Sequence, residues 1–115
     1  MKIMEDYYKK LLLSVYLPQK DFEVVLTNRT TRKIAGTYNC SKNRIRINNG
    51  SRSVDSCIKT AIHEYAHHIH CTEKGRVEGG HKPHGPQFKL IFHVLLTLAI
   101  QKKLYEDELV NDLVI

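Results

Sequence analysis

Residues His63-Glu64-Tyr65-Ala66-His67 read HExxH, a spacing that makes chemical sense on a helix. On a helix, positions i and i+4 stand one turn apart on one face, so two imidazoles can hold one divalent metal. The glutamate between them reaches the same edge and can take a proton from a water on that metal. The neighbouring residues carry the helical period. Ser53, Asp55 or Ser56 can cap the N-terminus, and Ile58, Ala61, Ile62, Tyr65, Ala66 and Ile69 then fall on one side. His63, Glu64, His67 and His70 fall on the other. The spacing predicts a helix over 54–71 that buries its aliphatic stripe and turns its histidines into a cleft.

A hydrolytic zinc site needs three protein ligands and one open position, so a third ligand must come from elsewhere. Downstream, Pro86 suits a first helical turn, and Phe88, Ile91, Phe92, Leu95 and Ala99 form a second stripe, predicting a helix over 85–104. Projected backwards, His84 lies at the entrance of that stripe. If the two stripes pack, His84 approaches His63 and His67. Glu73 and Glu78 are alternative third ligands, since zinc accepts carboxylates. Cys71, four residues after His67, would instead suit a closed structural His/Cys site. His70 sits about 10 Å further along the axis than His63, beyond easy reach of one ion. His68 projects off the metal face as a solvated or supporting group, His81 is a loop histidine, and His93 lies off the stripe.

HExxH followed by His84-Gly85-Pro86-Gln87-Phe88 at a helix entrance resembles the SprT-like metallopeptidases, the group that includes Spartan and the bacterial SprT proteins. Gly36-Thr37-Tyr38 and Arg44-Ile45-Arg46-Ile47-Asn48 are similar to the two strands that precede the active-site helix there. The resemblance covers roughly residues 20–100. It implies His63, His67 and His84 as ligands of one zinc ion, Glu64 as general base, and a proteolytic core that in several relatives acts on DNA-bound proteins. The 115 residues include no downstream cysteine-rich zinc ribbon of the fuller members.

The rest of the chain bounds the architecture. A helix over 4–16 ends near Pro18, Phe22–Thr27 reads as a strand, and Ile34–Tyr38 with Arg44–Asn48 reads as an antiparallel pair. The expected fold is α+β and zincin-like, with a three-stranded antiparallel sheet on the HExxH helix and flanking helices. One domain over 1–115 is expected: an N-terminal helix within 1–20, a core over 21–104 and an acidic tail over 105–115. Arg44 and Arg46 alternate with Ile45 and Ile47, so this strand shows one basic and one buried face. It is expected just above the site, where an exposed edge can pair with an extended peptide and so take protein substrates.

Between Asn28 and Lys59 there are eight cations against Asp55 alone. Arg44, Arg46 and Arg52 are therefore candidate contacts to DNA phosphates, without sequence preference. Few aromatics interleave to stack bases. Three cysteines, Cys40, Cys57 and Cys71, make no even disulfide framework, and no apolar run suits a secretion signal or membrane span. A monomer in a reducing cytoplasm, with no membrane partner, is the expectation. The functional reading is a zinc metalloendopeptidase. Its rivals are a non-catalytic nucleic-acid-associated module with structural zinc, and a glutamate-type zincin that cleaves a regulatory protein. The acidic tail, Glu106 to Asp112, is a candidate self-inhibitor.

Overall fold

The computed structural model describes residues 2–74 and 84–104. Helix α1 spans Lys2–Val15 and is followed by strands β1 (Glu23–Leu26), β2 (Gly36–Asn39) and β3 (Arg44–Ile47). Helix α2 spans Val54–Ile69 and runs on into a π-helical turn, His70–Lys74; helix α3 spans Pro86–Gln101. Glu78, His81 and the acidic tail lie outside the described residues. The fold is α+β. No described helix is long and apolar enough to cross a membrane.

Each helix forms where the apolar period is helical. In α1, Tyr8, Leu11, Leu12 and Val15 recur at three- and four-residue steps and are all buried. Ser53 caps α2, its hydroxyl accepting from Ser56 N–H at 3.1 Å. Helix α2 is buried nearly all round rather than along one stripe: Thr60, Glu64, His67 and His68 are buried together with its aliphatic residues. It is the central helix, with the sheet on one side and α1 and α3 on others. Its polar residues must therefore find partners inside the protein.

The sheet order is β1-β3-β2. Strand β2 pairs antiparallel with β3, Gly36 facing Ile47 and Asn39 facing Arg44. Strand β1 pairs with β3 in parallel, Glu23 beside Arg44 and Leu26 beside Ile47, so the sheet is mixed and not antiparallel throughout. The alternation of Val24 and Leu26 shows which side chains go inward but carries no information about which strand β1 joins. The connection after β1 passes over the end of the sheet and returns as the β2–β3 hairpin, leaving β3 in the centre. Two contacts tie that connection down: Asn28 N–H donates to Asn49 Oδ1 at 2.7 Å, and Thr27 Oγ1 donates to Asn48 Oδ1 at 2.7 Å.

The two sheet edges differ. On the β1 side, Leu26 N–H donates to the Glu5 carboxylate of α1 at 2.8 Å, which covers that edge. The β2 side has no strand partner among the described residues. Strand β3, expected to offer a free edge beside the site, is central; β2 is the strand that offers one.

The odd cysteine count concealed a pair. Cys40, in the β2–β3 turn, is joined to Cys71, in the π-turn after α2, with a Cα–Cα distance of 6.3 Å. Cys57 alone is free and lies buried. The pairing removes the count-based reason for placing the chain in a reducing compartment, and it takes Cys71 away from the histidines.

Candidate metal centre

Helix α2 presents His63 and His67 one turn apart, and His84 enters from the start of α3. The chain turns sharply at His84, where φ is 62°, a left-handed value that histidine tolerates better than most residues. Gly85 then caps α3 and Pro86 occupies its first turn. His63 Nε2 and His84 Nε2 lie 3.3 Å apart, and His67 Nε2 and His84 Nε2 lie 3.2 Å apart. One ligand atom from each of the three histidines falls within 4.8 Å of the others.

The two distances to His84 fit a metal. Tetrahedral zinc with bonds of about 2.0–2.1 Å requires nitrogens about 3.3–3.4 Å apart. Three imidazole nitrogens converging on one point cannot satisfy each other by hydrogen bonds alone, since each neutral ring has only one donor. The three histidines could hold a metal ion.

An aromatic floor orients the rings, and only its apolar character was foreseen. Phe88 stacks on His67 with centroids 4.1 Å apart and meets His63 and His84 edge-on at 5.0 and 5.1 Å. Phe92 contacts His63 at 5.2 Å. The sequence signal was available: Phe88 and Phe92 lie four and eight residues after His84, on the face that His84 opens.

Glu64 is 6% exposed and sits beside His63, its Oε2 being 3.9 Å from His63 Nε2. Burial pushes its carboxyl up to about 7. Burial, followed by the charge of His84, pushes the His63 imidazole down. The backbone of β2 comes close here. A Cβ on Gly36 would lie 2.7 Å from both Arg46 O and Thr60 Cγ2 and 3.4 Å from Glu64 Cγ, so only glycine lets the strand lie against α2 at this level.

The remaining histidines and acids have other positions. His68, expected to be solvated or to support the ligands, is fully buried. Its Nε2 faces Lys20 O at 2.8 Å and therefore carries the proton, leaving Nδ1 to accept from Tyr38 O–H at 2.8 Å. It joins α2 to β2 and to the segment before β1. His70 is buried, with Nε2 3.4 Å from Gln87 Oε1, and His93 is exposed on α3. The Glu73 carboxylate accepts from Tyr16 O–H at 2.7 Å and Gln19 N–H at 3.1 Å, so it is engaged away from the three imidazoles.

The arginines do not form one surface. Arg44 and Arg46 line a polar hollow of about 520 Å³ on the outer face of the hairpin with Lys42 and Tyr38, and Arg44 also pairs with Glu23. Arg52 lines a different hollow, of about 470 Å³, next to His63 and Glu64.

Comparison with known families settles the relationship: the model of the SprT-like family matches residues 3–105. The chain belongs to the SprT-like family. The match spans α1, the sheet, α2 and α3, so the whole described fold, and not the HExxH run alone, carries the membership. Comparisons with curated proteins and with solved structures found no match.

Proposed function

We propose that this SprT-like protein is a zinc-dependent metalloendopeptidase in which His63, His67 and His84 hold one zinc ion and Glu64 is the general base. The observation that carries the reading is the convergence of His63, His67 and His84, with His84 Nε2 at 3.2–3.3 Å from the other two and all three ligand atoms within 4.8 Å, beside a buried carboxyl. Zinc bound there would act as a Lewis acid on the scissile carbonyl and lower the pKa of a water to roughly 7.

The chain's own residues do the rest. Glu64, buried beside His63, would take a proton from the attacking water and return it to the leaving amine. Phe88 and Phe92 hold the imidazoles in register and keep water from one side of the site. The open edge of β2, which starts at Gly36 against Glu64, offers main-chain donors and acceptors to an extended peptide. Main-chain pairing is indifferent to most side chains, which favours protein substrates.

The glutamate-type alternative loses support because Glu73 is bonded elsewhere, and Glu78 lies outside the described residues. Lys42, Arg44 and Arg46 on the hairpin are the cations placed together for a non-specific DNA contact. Arg52 belongs to the other hollow.

The test is Glu64→Gln in zinc-loaded protein with an unfolded protein substrate. Zinc stays bound and hydrolysis falls by at least about a hundredfold, as loss of a general base implies. Undiminished turnover overturns the mechanism.

A further inference from the structure

Arg52 stands in the wall of the hollow beside Glu64, and all three of its guanidinium nitrogens donate to the protein's own atoms. Nε donates to Ser56 Oγ at 3.2 Å. One terminal nitrogen donates to Ala35 O at 3.1 Å and to Asn48 O at 3.2 Å. The other donates to Ser56 O at 3.0 Å, Ser56 Oγ at 2.8 Å and Thr60 Oγ1 at 2.5 Å. The donors of a guanidinium all lie in its plane, so none is left to grip a carboxylate edge-on.

What Arg52 keeps for a ligand is its flat face. The side chain is half-buried and lines the hollow, and an aromatic ring stacks well on a guanidinium plane. The bonds to Ala35, Asn48, Ser56 and Thr60 fix that plane in advance, so a ligand does not have to order it. The rest of the lining suits a ring as well. Ile34 is 52% exposed, Phe92 is half-buried, and both line the same space with Ala35. Lys33 and Lys59 also line it, but the seat for a ring is formed without them. At about 470 Å³ the hollow falls in the range of small-ligand sites, roughly 300–1,000 Å³, and one aromatic side chain fits.

Resting on the protease reading above, we propose that this hollow is a subsite for an aromatic side chain, so that the protein cleaves peptides beside phenylalanine, tyrosine or tryptophan. His63 and Glu64 form part of the wall, which puts a bound ring next to the scissile bond. A peptide on the β2 edge alternates its side chains between faces, and the start of that strand, Gly36, has no side chain to block the entry. A leucine in the hollow buries apolar surface against Ile34 and Phe92 but cannot stack on Arg52. Stacking on a solvated cation is worth roughly two- to fivefold, and the buried surface of the ring raises the preference over alanine to about tenfold.

The protein contains no tryptophan, so a glycine–serine peptide with one tryptophan reports on the subsite by its own emission. The first arm of the test adds zinc-loaded Glu64→Gln, which holds the peptide without turnover, and follows the shift of that emission to the blue as the ring leaves water. The same peptide with phenylalanine, leucine, alanine or glutamate in place of tryptophan then competes for the site. The second arm digests reduced, carboxymethylated lysozyme with the zinc-loaded unmodified protein and maps the cleavage sites by mass spectrometry.

The phenylalanine peptide competes about threefold better than the leucine peptide and about tenfold better than the alanine peptide, and cuts cluster beside aromatic residues. Adding Arg52→Lys keeps the charge but loses the plane, so the margin of phenylalanine over leucine disappears. Ile34→Ser, at an exposed side chain, leaves the arginine's bonds in place and weakens the tryptophan peptide about threefold; Ile3→Ser on α1, also exposed, changes nothing. Circular dichroism checks the fold of each variant, and Ile34→Ser decides if Arg52→Lys does not fold. No blue shift, equal competition by leucine and phenylalanine, tightest binding of the glutamate peptide, or an affinity that Ile34→Ser leaves unmoved overturns the subsite. Cleavage with no enrichment of aromatic residues overturns it while the protease reading stands. Aromatic-selective binding that Ile34→Ser weakens, with no cleavage by the unmodified protein, supports the subsite and removes the protease reading.

Discussion

Gly36→Ala tests how the edge strand is seated on α2. The added methyl would lie 2.7 Å from Arg46 O and 2.7 Å from Thr60 Cγ2, where about 3.5–4.0 Å is comfortable for carbon contacts. The Arg46 carbonyl belongs to the central strand and cannot swing aside, so β2 must lift away from β3 or α2 must retreat. Overpacking of this kind costs about 1–3 kcal/mol, which lowers the melting temperature of a domain this size by roughly 5–15 °C. Thermal unfolding followed by circular dichroism, on metal-free protein at fixed pH, reads the effect. Thr60→Ser supplies an internal control, because it removes the offending Cγ2 and keeps the hydroxyl that accepts from Arg52. Gly36→Ala with Thr60→Ser should recover part of the loss but not all, since the Arg46 carbonyl remains. A single variant that melts with the parent, or a double variant whose losses simply add, refutes the close approach of β2 to α2.

Tyr38→Phe probes the bond that joins β2 to His68. Burial pushes the Tyr38 hydroxyl up to about 12, so the folded state keeps its proton while the unfolded chain releases it near 10. That contribution to stability is complete below pH 10 and disappears as pH rises toward 12. Alkaline unfolding should therefore be shallower in Tyr38→Phe than in the parent over this window, and identical slopes would count against the burial. Cys40→Ser opens a link that spans 31 residues, which in the loop-entropy account lowers stability by about 3–4 kcal/mol under oxidising conditions. Denaturant unfolding with excess reductant should erase the difference between variant and parent; a difference that persists would mean Cys40 acts by packing.

Much of this was legible because local chemistry and tertiary placement agree at the site. The i, i+4 spacing puts His63 and His67 on one face of a helix, and the aliphatic residues around them supply its period. His84 was placed beside them by one further assumption, that the two apolar stripes pack, and the structure shows Phe88 doing so against His67. The sheet was less legible. Hydrophobic alternation reports which face is buried but not strand order, so the parallel pairing of β1 and the central position of β3 left no trace in the period. Parity of cysteines proved equally uninformative, because Cys40 and Cys71 meet only after the hairpin folds over the end of α2. His68 was misread for a related reason. An amphipathic projection gives one solvated face, whereas α2 is enclosed on several sides and His68 spends both ring nitrogens on internal partners. The hollow beside Glu64 draws on residues from three separate segments, and no window of sequence shows that they share a wall.

X-ray absorption at the zinc edge tests the central claim most directly, comparing the zinc-loaded parent with His84→Ala. The account predicts one zinc per chain with four nitrogen or oxygen neighbours at about 2.0–2.1 Å, three of them imidazoles. His84→Ala should lose one imidazole from that shell and hold the metal more weakly. A sulfur neighbour at about 2.3 Å, or a spectrum and affinity that His84→Ala leaves unaltered, would contradict a three-histidine centre.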